Sequence, residues 1–220
     1  MDWNELIYSR HSFNNFNMNE VIPEEHVEKL MNDLCATLPS KQGRYPYFID
    51  VFNWSNKDLR LWMYEYCTWI DQDSSNHKPF NKQPQMAAPL LITFTVPTTP
   101  ITDLPVPETD WPIGVMIDNI AQSHMEVGMA AMHLVHAAYD LGYQAGFCGC
   151  IPDPSYFAKK IGYDNHQTWV CLGIGTKPNF DHNPEAEGYW RCPVDGIVYK
   201  RGVHSNQPRP EVGKFIKYHN

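Results

Sequence analysis

Apolar residues recur at helical spacing along several stretches of the chain. The clearest short example follows Pro23-Glu24-Glu25 and predicts a helix that runs to about Leu38. Proline suits the first helical turn, and acidic residues there interact favourably with the helix dipole. The apolar positions of this helix are Val27, Leu30, Met31 and Leu34. Further short helices are predicted over residues 2–9, 58–70 and 154–161.

The longest regular segment runs from Ile113 to about Leu141, and its apolar and small residues cover more than one helical face. A helix that is apolar on several sides must be buried, either in a core or in a subunit interface. Gly142 is placed to end this helix as a C-cap glycine.

Runs of β-branched, aromatic and other apolar residues predict strands over 47–52, 87–96 and 169–175, and residues 145–151 are expected to form a glycine-rich passage from a strand into a loop. The second run is continuously apolar, which is typical of a strand buried on both faces. Residues 97–112 hold five prolines and are expected to form an extended loop, and the chain from Lys177 onward shows little regular pattern. Helices that alternate with a few buried strands predict an α+β fold. We expect one domain over residues 1–220.

Composition and charge narrow the class of function. Hydrophobic residues make up 43% of the chain, the net charge is −8, and no run of Lys or Arg stands out. This balance argues against a nucleic-acid partner or an anionic membrane surface. No segment reaches the roughly 18 consecutive apolar residues that a spanning helix needs. The polar, acidic start does not resemble a signal peptide, so an intracellular, cytoplasmic protein is expected.

A short polar cluster near the start, Arg10-His11-Ser12, is the strongest candidate for chemistry. A guanidinium, an imidazole and a hydroxyl side by side form a compact donor set for a phosphate. Near the other end, Pro208-Arg209-Pro210-Glu211 offers a second guanidinium. The alternative is that the cluster is an ordinary helix end.

The segments together resemble the nitroreductase family of FMN-dependent oxidoreductases. The resemblance rests on their order and spacing along most of the chain. The matching pieces are Arg10-His11-Ser12, Pro39-Ser40 with Pro46-Tyr47, Ala88-Pro89-Leu90-Leu91-Ile92, Val127-Gly128-Met129-Ala130-Ala131, Leu141-Gly142-Tyr143-Gln144-Ala145-Gly146-Phe147, Leu172-Gly173-Ile174-Gly175 and the late Arg-Pro-Glu. The resemblance implies a central, mostly antiparallel sheet flanked by helices, and a homodimer with a long interface helix.

The resemblance also implies a set of FMN-binding residues. Arg10, His11, Ser12 and Asn14 match the phosphate and ribityl end, joined by Arg209, or by Lys200 or Arg201 in its place. Other parts of the chain match the surroundings of the flavin ring. The loop residues that match the lining of the ring are Pro39, Ser40, Lys41 and Gly43. Asn81 matches a polar residue at the pyrimidine edge of the flavin. Cys148 and Gly149 belong to the 146–149 passage, which matches the loop near N5. The chain departs from the family pattern at Asn14, Gly43 and Pro84 or Gln85, where basic residues or Asn are frequent.

The implied reaction is ping-pong: hydride passes from NAD(P)H to FMN N5 and then to a small acceptor such as a nitroaromatic or a quinone. Flavin carries that chemistry, so no catalytic side chain is predicted. Alternatives within the fold are a flavin-modifying enzyme, a reductive dehalogenase, a flavin-storage protein, and a relic that binds no flavin.

Three groups of residues allow two interpretations each. His133 and His136 could share a metal, but packing or interface histidines are favoured and no metal is predicted. Cys148-Gly149-Cys150 could be a redox pair, but small residues beside a planar cofactor are favoured. A group of aromatic residues could form a substrate lid, but core or dimer packing is favoured. That group is Trp62, Tyr64, Tyr66 and Trp69.

Overall fold

The fold is taken from a computed structural model. It describes residues 6, 10, 12–13, 16–17, 20–38, 40, 46–67, 83–98, 120–177, 189–191 and 198–200. Within this part of the chain the helices are α1 (Glu24–Thr37), α2 (Lys57–Tyr66), α3 (Ile120–Asp140) and α4 (Pro154–Lys160). The strands are β1 (Phe48–Phe52), β2 (Leu90–Pro97), β3 (Gln144–Cys148), β4 (His166–Gly175), β5 (Tyr189–Arg191) and β6 (Val198–Lys200). None of the described helices is long and apolar enough to cross a membrane.

Four strands form an antiparallel sheet in the order β1-β2-β4-β3, and β5 pairs with β6 as a separate antiparallel ribbon. Every residue of β2 is buried, as the continuous apolar run predicts. Helices cover both faces of the sheet. The predicted α+β fold with a mostly antiparallel sheet is therefore confirmed.

The first core lies on the face covered by α1 and α3, and joins Leu30 and Leu34 of α1 to Leu134 of α3 and to Leu172 and Ile174 of β4. The second core lies on the opposite face, under α2 and α4. It includes Met63, Tyr64, Leu91, Phe157 and Cys171. Alternation along the strands sends neighbouring residues to opposite faces, so one sheet serves both cores.

Some predicted boundaries need correction. The predicted strand 87–96 begins only at Leu90, because residues Pro84–Ala87 form a 3₁₀ turn. The predicted helix 58–70 is helical over Lys57–Tyr66, with a turn at Cys67 and the remainder outside the described residues. The fourth strand begins at His166, three residues before the prediction. The region after Lys177, predicted to lack regular structure, contains β5 and β6.

The late start of β2 has a physical cause at Ala88. The carbonyl of Ala88 accepts hydrogen bonds from Arg60 Nη2 at 2.7 Å and from Trp54 Nε1 at 3.2 Å, and Pro89 has no amide hydrogen to offer a neighbouring strand. Arg60 is fully buried, with its guanidinium carbon 4.8 Å from the Trp54 ring centroid, and burial lowers its pKa to about 9. These contacts bind α2 to the start of β2.

Candidate functional site

Three strand glycines form a flat area on one face of the sheet. Gly146 of β3 pairs with Gly173 of β4, and Gly175 follows two residues later on the same face. An added Cβ at Gly146 would lie 1.8 Å from the Phe13 carbonyl oxygen, and one at Gly173 would lie 2.5 Å from that of Gln85. Side chains at these positions would displace the backbone above them. The glycines therefore let two chain segments lie directly on the sheet.

The first of these segments is the N-terminal one, and backbone hydrogen bonds hold it against the sheet. The Phe13 amide donates to the Ala145 carbonyl at 2.9 Å, and the Asn17 amide donates to the Thr176 carbonyl, also at 2.9 Å. The Glu20 carboxylate accepts hydrogen bonds from Asn17 Nδ2 and from Thr176 Oγ1. The segment that carries the predicted phosphate donors is thus fixed beside the start of β3 and the end of β4.

Arg10 and Ser12 lie on this segment, immediately before its contact with the sheet. The Arg10 amide donates to the Leu6 carbonyl at 3.1 Å, and its side chain is half-buried, whereas Ser12 is exposed. Arg10 is close enough to α3 for its charge to act on His136. Burial lowers the pKa of His136, and the charges of Arg10 and His133 lower it further. Arg10 therefore brings a positive charge within electrostatic range of α3, where the neutral form of His136 is favoured.

Gly149, just after β3, differs from the strand glycines. It is exposed, and its nearest contact for an added Cβ is the Trp169 carbonyl oxygen, at an ordinary 3.7 Å. Another group could therefore approach its backbone. The neighbouring Cys148 is only 2% exposed, and its side chain packs in the second core. Ser40 is half-buried beyond the end of α1.

Several predicted site residues lie outside the described part of the chain. They are His11, Asn14, Pro39, Lys41, Gly43, Asn81 and Arg209, together with the alternative Arg201. Lys200 ends β6, and only its backbone is described. The predicted meeting of Ser12 with Arg209 therefore remains a prediction.

Two residues near the site were named in the sequence for other reasons. His136 was considered with His133 as a metal ligand or packing histidine, and it lies on α3 within range of the Arg10 charge. Gln85 was noted as a departure from the family pattern, and in the 3₁₀ turn it lies over both Gly146 and Gly173. Their positions at the site have no local sequence signal, because each is brought there by a contact between distant parts of the chain. The glycines were a usable signal: a Gly in a strand marks the close approach of another backbone.

The structure describes most residues of two groups that the sequence left open, the aromatic group near α2 and the two histidines of α3. Trp62 and Tyr66 stack at a centroid distance of 5.0 Å and pack against Phe157 of α4, and Tyr64 is buried, which favours core packing over a lid. Trp69 lies outside the described residues. His133 Nε2 lies 2.9 Å from Thr37 Oγ1 and so links α3 to α1. Among the described residues, no three His, Cys, Asp or Glu side chains form a metal-binding group.

The donor set fits the phosphate end of a flavin nucleotide. Arg10 offers a guanidinium, Ser12 offers an exposed hydroxyl, and the positive field at His136 favours an added negative charge. The open backbone at Gly149 is suited to a flat ring, because glycine allows a close approach. These residues of the N-terminal segment and of the loop after β3 would hold FMN.

Comparison with solved structures finds the same fold in flavin enzymes at low sequence identity. A Staphylococcus epidermidis protein ascribed to the NAD(P)H:FMN oxidoreductases is 16% identical with a TM-score of 0.68, over 99% of this chain and 96% of that one. The NfrA1 nitroreductase of B. subtilis is 14% identical with a TM-score of 0.66, over 100% and 74%.

The FMN-dependent nitroreductase NfnB of Mycobacterium smegmatis, solved in complex with NADPH, is 13% identical with a TM-score of 0.60, over 99% and 97%. No curated protein matches the chain. The model of the nitroreductase family matches residues 7–176, which is more than half of the chain and includes the N-terminal segment, all four sheet strands and α3. This chain belongs to the nitroreductase family.

Proposed function

We propose that this protein is an FMN-dependent oxidoreductase that accepts hydride from NADH or NADPH and delivers electrons to a small acceptor such as a nitroaromatic or a quinone. Family membership supports the general class of flavin oxidoreductase. The observation that carries the proposal is the fixed position of the N-terminal segment on Gly146, with Arg10 beside His136. This arrangement provides an anion site on a segment that lies over β3, the strand that leads to the exposed Gly149.

When bound, FMN would supply the hydride and electron transfer. The residues of the chain would bind this cofactor and orient it. Arg10 and Ser12 provide charge-assisted and neutral donors to a phosphate, and the hydrogen bond from Phe13 to Ala145 fixes their distance from the sheet. Gly149 leaves its backbone amide open to a planar group. None of these roles requires a nucleophile or an acid–base pair.

The proposal is tested by mixing the FMN-loaded protein with NADH and with NADPH in separate anaerobic experiments. We expect one or both nucleotides to bleach the visible flavin absorbance, and a nitroaromatic or quinone to restore it. Buffer without nucleotide is the control. If dithionite bleaches the protein-bound flavin and neither nucleotide does, nicotinamide-dependent reduction is refuted and flavin storage is favoured.

We further propose a homodimer that associates through α3. Met125 and Met129 stand one helical turn apart on this helix and are 59% and 43% exposed, with the exposed Gly128 between them. An added Cβ at Gly128 meets nothing within 4 Å, so a partner has room to approach. Neighbouring exposed apolar residues of this kind are typical of association surfaces.

The double variant Met125→Asp, Met129→Asp should therefore be monomeric under conditions where the wild type is dimeric, because carboxylates are poorly tolerated in a desolvated interface. Light scattering coupled to size exclusion measures the mass. The control is Val21→Asp, which adds a carboxylate at an 82% exposed apolar residue outside α3 and should stay dimeric. A double variant with the wild-type dimer mass would refute the role of α3.

A further inference from the structure

Four of the six cysteines meet on one side of the sheet, although they are far apart in sequence. Cys148 of β3 and Cys171 of β4 are partners in the strand register, and Cys67 follows the last turn of α2. All three are buried in the second core, and Cys150 packs against it from the loop after β3. All four are free thiols. This cluster has no role in the proposed function.

Cys150 differs from the other three in its access to solvent. It is partly exposed, whereas Cys67, Cys148 and Cys171 are buried. The Cys148 thiol donates a hydrogen bond to the Cys150 thiolate, and this bond lowers the pKa of Cys150. The same bond, together with burial, raises the pKa of Cys148. The pair thus combines a partly exposed thiol, whose thiolate form is favoured, with a buried thiol two residues away in the same cluster.

We propose that Cys150 and Cys148 are a peroxide-reactive thiol pair that closes reversibly to a disulfide. The cysteine that reacts first with peroxide is partly exposed and carries thiolate character. Cys150 meets both conditions, and Cys148 lies beside it as the resolving thiol. The proposal does not depend on flavin binding.

The reaction has two steps and uses hydrogen peroxide as the oxidant. The Cys150 thiolate attacks one peroxide oxygen, so that an S–O bond forms, the O–O bond breaks and the second oxygen leaves as water after taking a proton. Cys150 is now a sulfenic acid, oxidised by two electrons. The Cys148 sulfur then attacks that of Cys150, so that the S–S bond forms, the S–O bond breaks and the hydroxyl leaves as water with the Cys148 proton.

The short loop between the two cysteines makes this disulfide easy to reduce. A ring closed across one intervening residue departs from relaxed disulfide geometry, and strained disulfides are the labile, regulatory ones. Gly149 makes closure feasible, because it is exposed and glycine adopts backbone conformations that other residues rarely reach. The pair therefore fits a reversible response to peroxide better than a permanent cross-link.

The test treats the reduced full-length protein with stoichiometric hydrogen peroxide, blocks free thiols, and maps tryptic peptides by mass spectrometry. Residues 83–159 contain Cys148 and Cys150, no other cysteine, and no Lys or Arg before Lys159. The expected result is a single peptide lighter by two hydrogens, restored by dithiothreitol. A link between this peptide and the one that contains Cys67 would refute the pairing.

Single variants separate the two roles. Cys148→Ser should accumulate a sulfenic acid at Cys150, trapped by dimedone, and Cys150→Ser should leave Cys148 unmodified by the same dose of peroxide. Cys35→Ser, at the exposed cysteine of α1, is the matched control and should form the disulfide as the wild type does. Oxidation of Cys35 before Cys150 in the wild type, or no modification at Cys150, would overturn the proposal.

Discussion

Gly146→Ala should destabilise the protein and abolish retention of FMN. The added methyl group would lie 1.8 Å from the Phe13 carbonyl oxygen, and a backbone atom cannot move aside as the end of a flexible side chain can. We expect a loss of stability at or beyond the upper end of the ~1–3 kcal/mol that is usual for overpacking. Displacing Phe13 also breaks its hydrogen bond to Ala145 and moves the backbone that carries Arg10 and Ser12. Urea unfolding and an FMN titration measure the two effects.

Gly128→Ala is the matched control for this substitution. It makes the same chemical change where nothing lies within 4 Å of the new Cβ. Alanine is favoured over glycine inside a helix by up to ~1 kcal/mol, so the control should be at least as stable as the wild type. It should also bind FMN normally, and its mass is checked by light scattering because Gly128 lies on the α3 face of the proposed dimer. If Gly146→Ala keeps both the stability and the FMN affinity of the wild type, the Phe13 carbonyl does not lie against Gly146.

Arg10→Ala should weaken FMN binding and leave riboflavin binding almost unchanged. Riboflavin lacks only the phosphate, so the difference between the two ligands isolates the contribution of the anion site. A charge-assisted hydrogen bond contributes about 1.5–3 kcal/mol, which corresponds to roughly a 10- to 150-fold loss of FMN affinity. Quenching of flavin fluorescence on titration gives both dissociation constants.

Lys159→Ala provides the charge-matched control for Arg10→Ala. Lys159 is exposed on α4, 3.8 Å from the Asp164 carboxylate, and its removal also lowers the net charge by one. Exposed ion pairs of this kind contribute little to stability. We expect wild-type affinity for both ligands in this variant. An equal loss of FMN and riboflavin affinity in Arg10→Ala would mean that Arg10 does not contact the phosphate.

The elements with strong periodicity could be predicted from sequence. The helix from Pro23 and the buried strand after Ala88 are present because their apolar residues must be covered by neighbouring elements. Boundaries were less predictable where tertiary contacts decide them. Local composition does not show that Ala88 binds Arg60 and Trp54, and these contacts keep residues Pro84–Ala87 out of the sheet.

The start of β4 illustrates the same limit. His166, Gln167 and Thr168 are polar, so an apolar run alone places the strand too late. In the structure the hydroxyl groups of Thr168 and Thr95 lie 2.8 Å apart across the strand pair, beside an irregularity in the register. Burial of a polar residue is possible there because its partner comes from the neighbouring strand. No local pattern carries that information.

The candidate site was predictable only in part. The residue types at Arg10-His11-Ser12 indicate a phosphate ligand, and the glycines of β3 and β4 indicate close backbone approach. The proximity of His136 to Arg10 is a long-range contact that spacing cannot reveal. The contact of Cys148 with Cys150 was considered from spacing, but the buried surroundings that distinguish the two thiols come from the fold.

The central claim is that this chain binds FMN through an anion site on its N-terminal segment. Equilibrium titration of the flavin-free protein with FMN, followed by fluorescence quenching, tests it most directly. We predict saturation at one FMN per chain, with a lower dissociation constant for FMN than for riboflavin. No saturable quenching, or equal affinity for the two flavins, would contradict the claim.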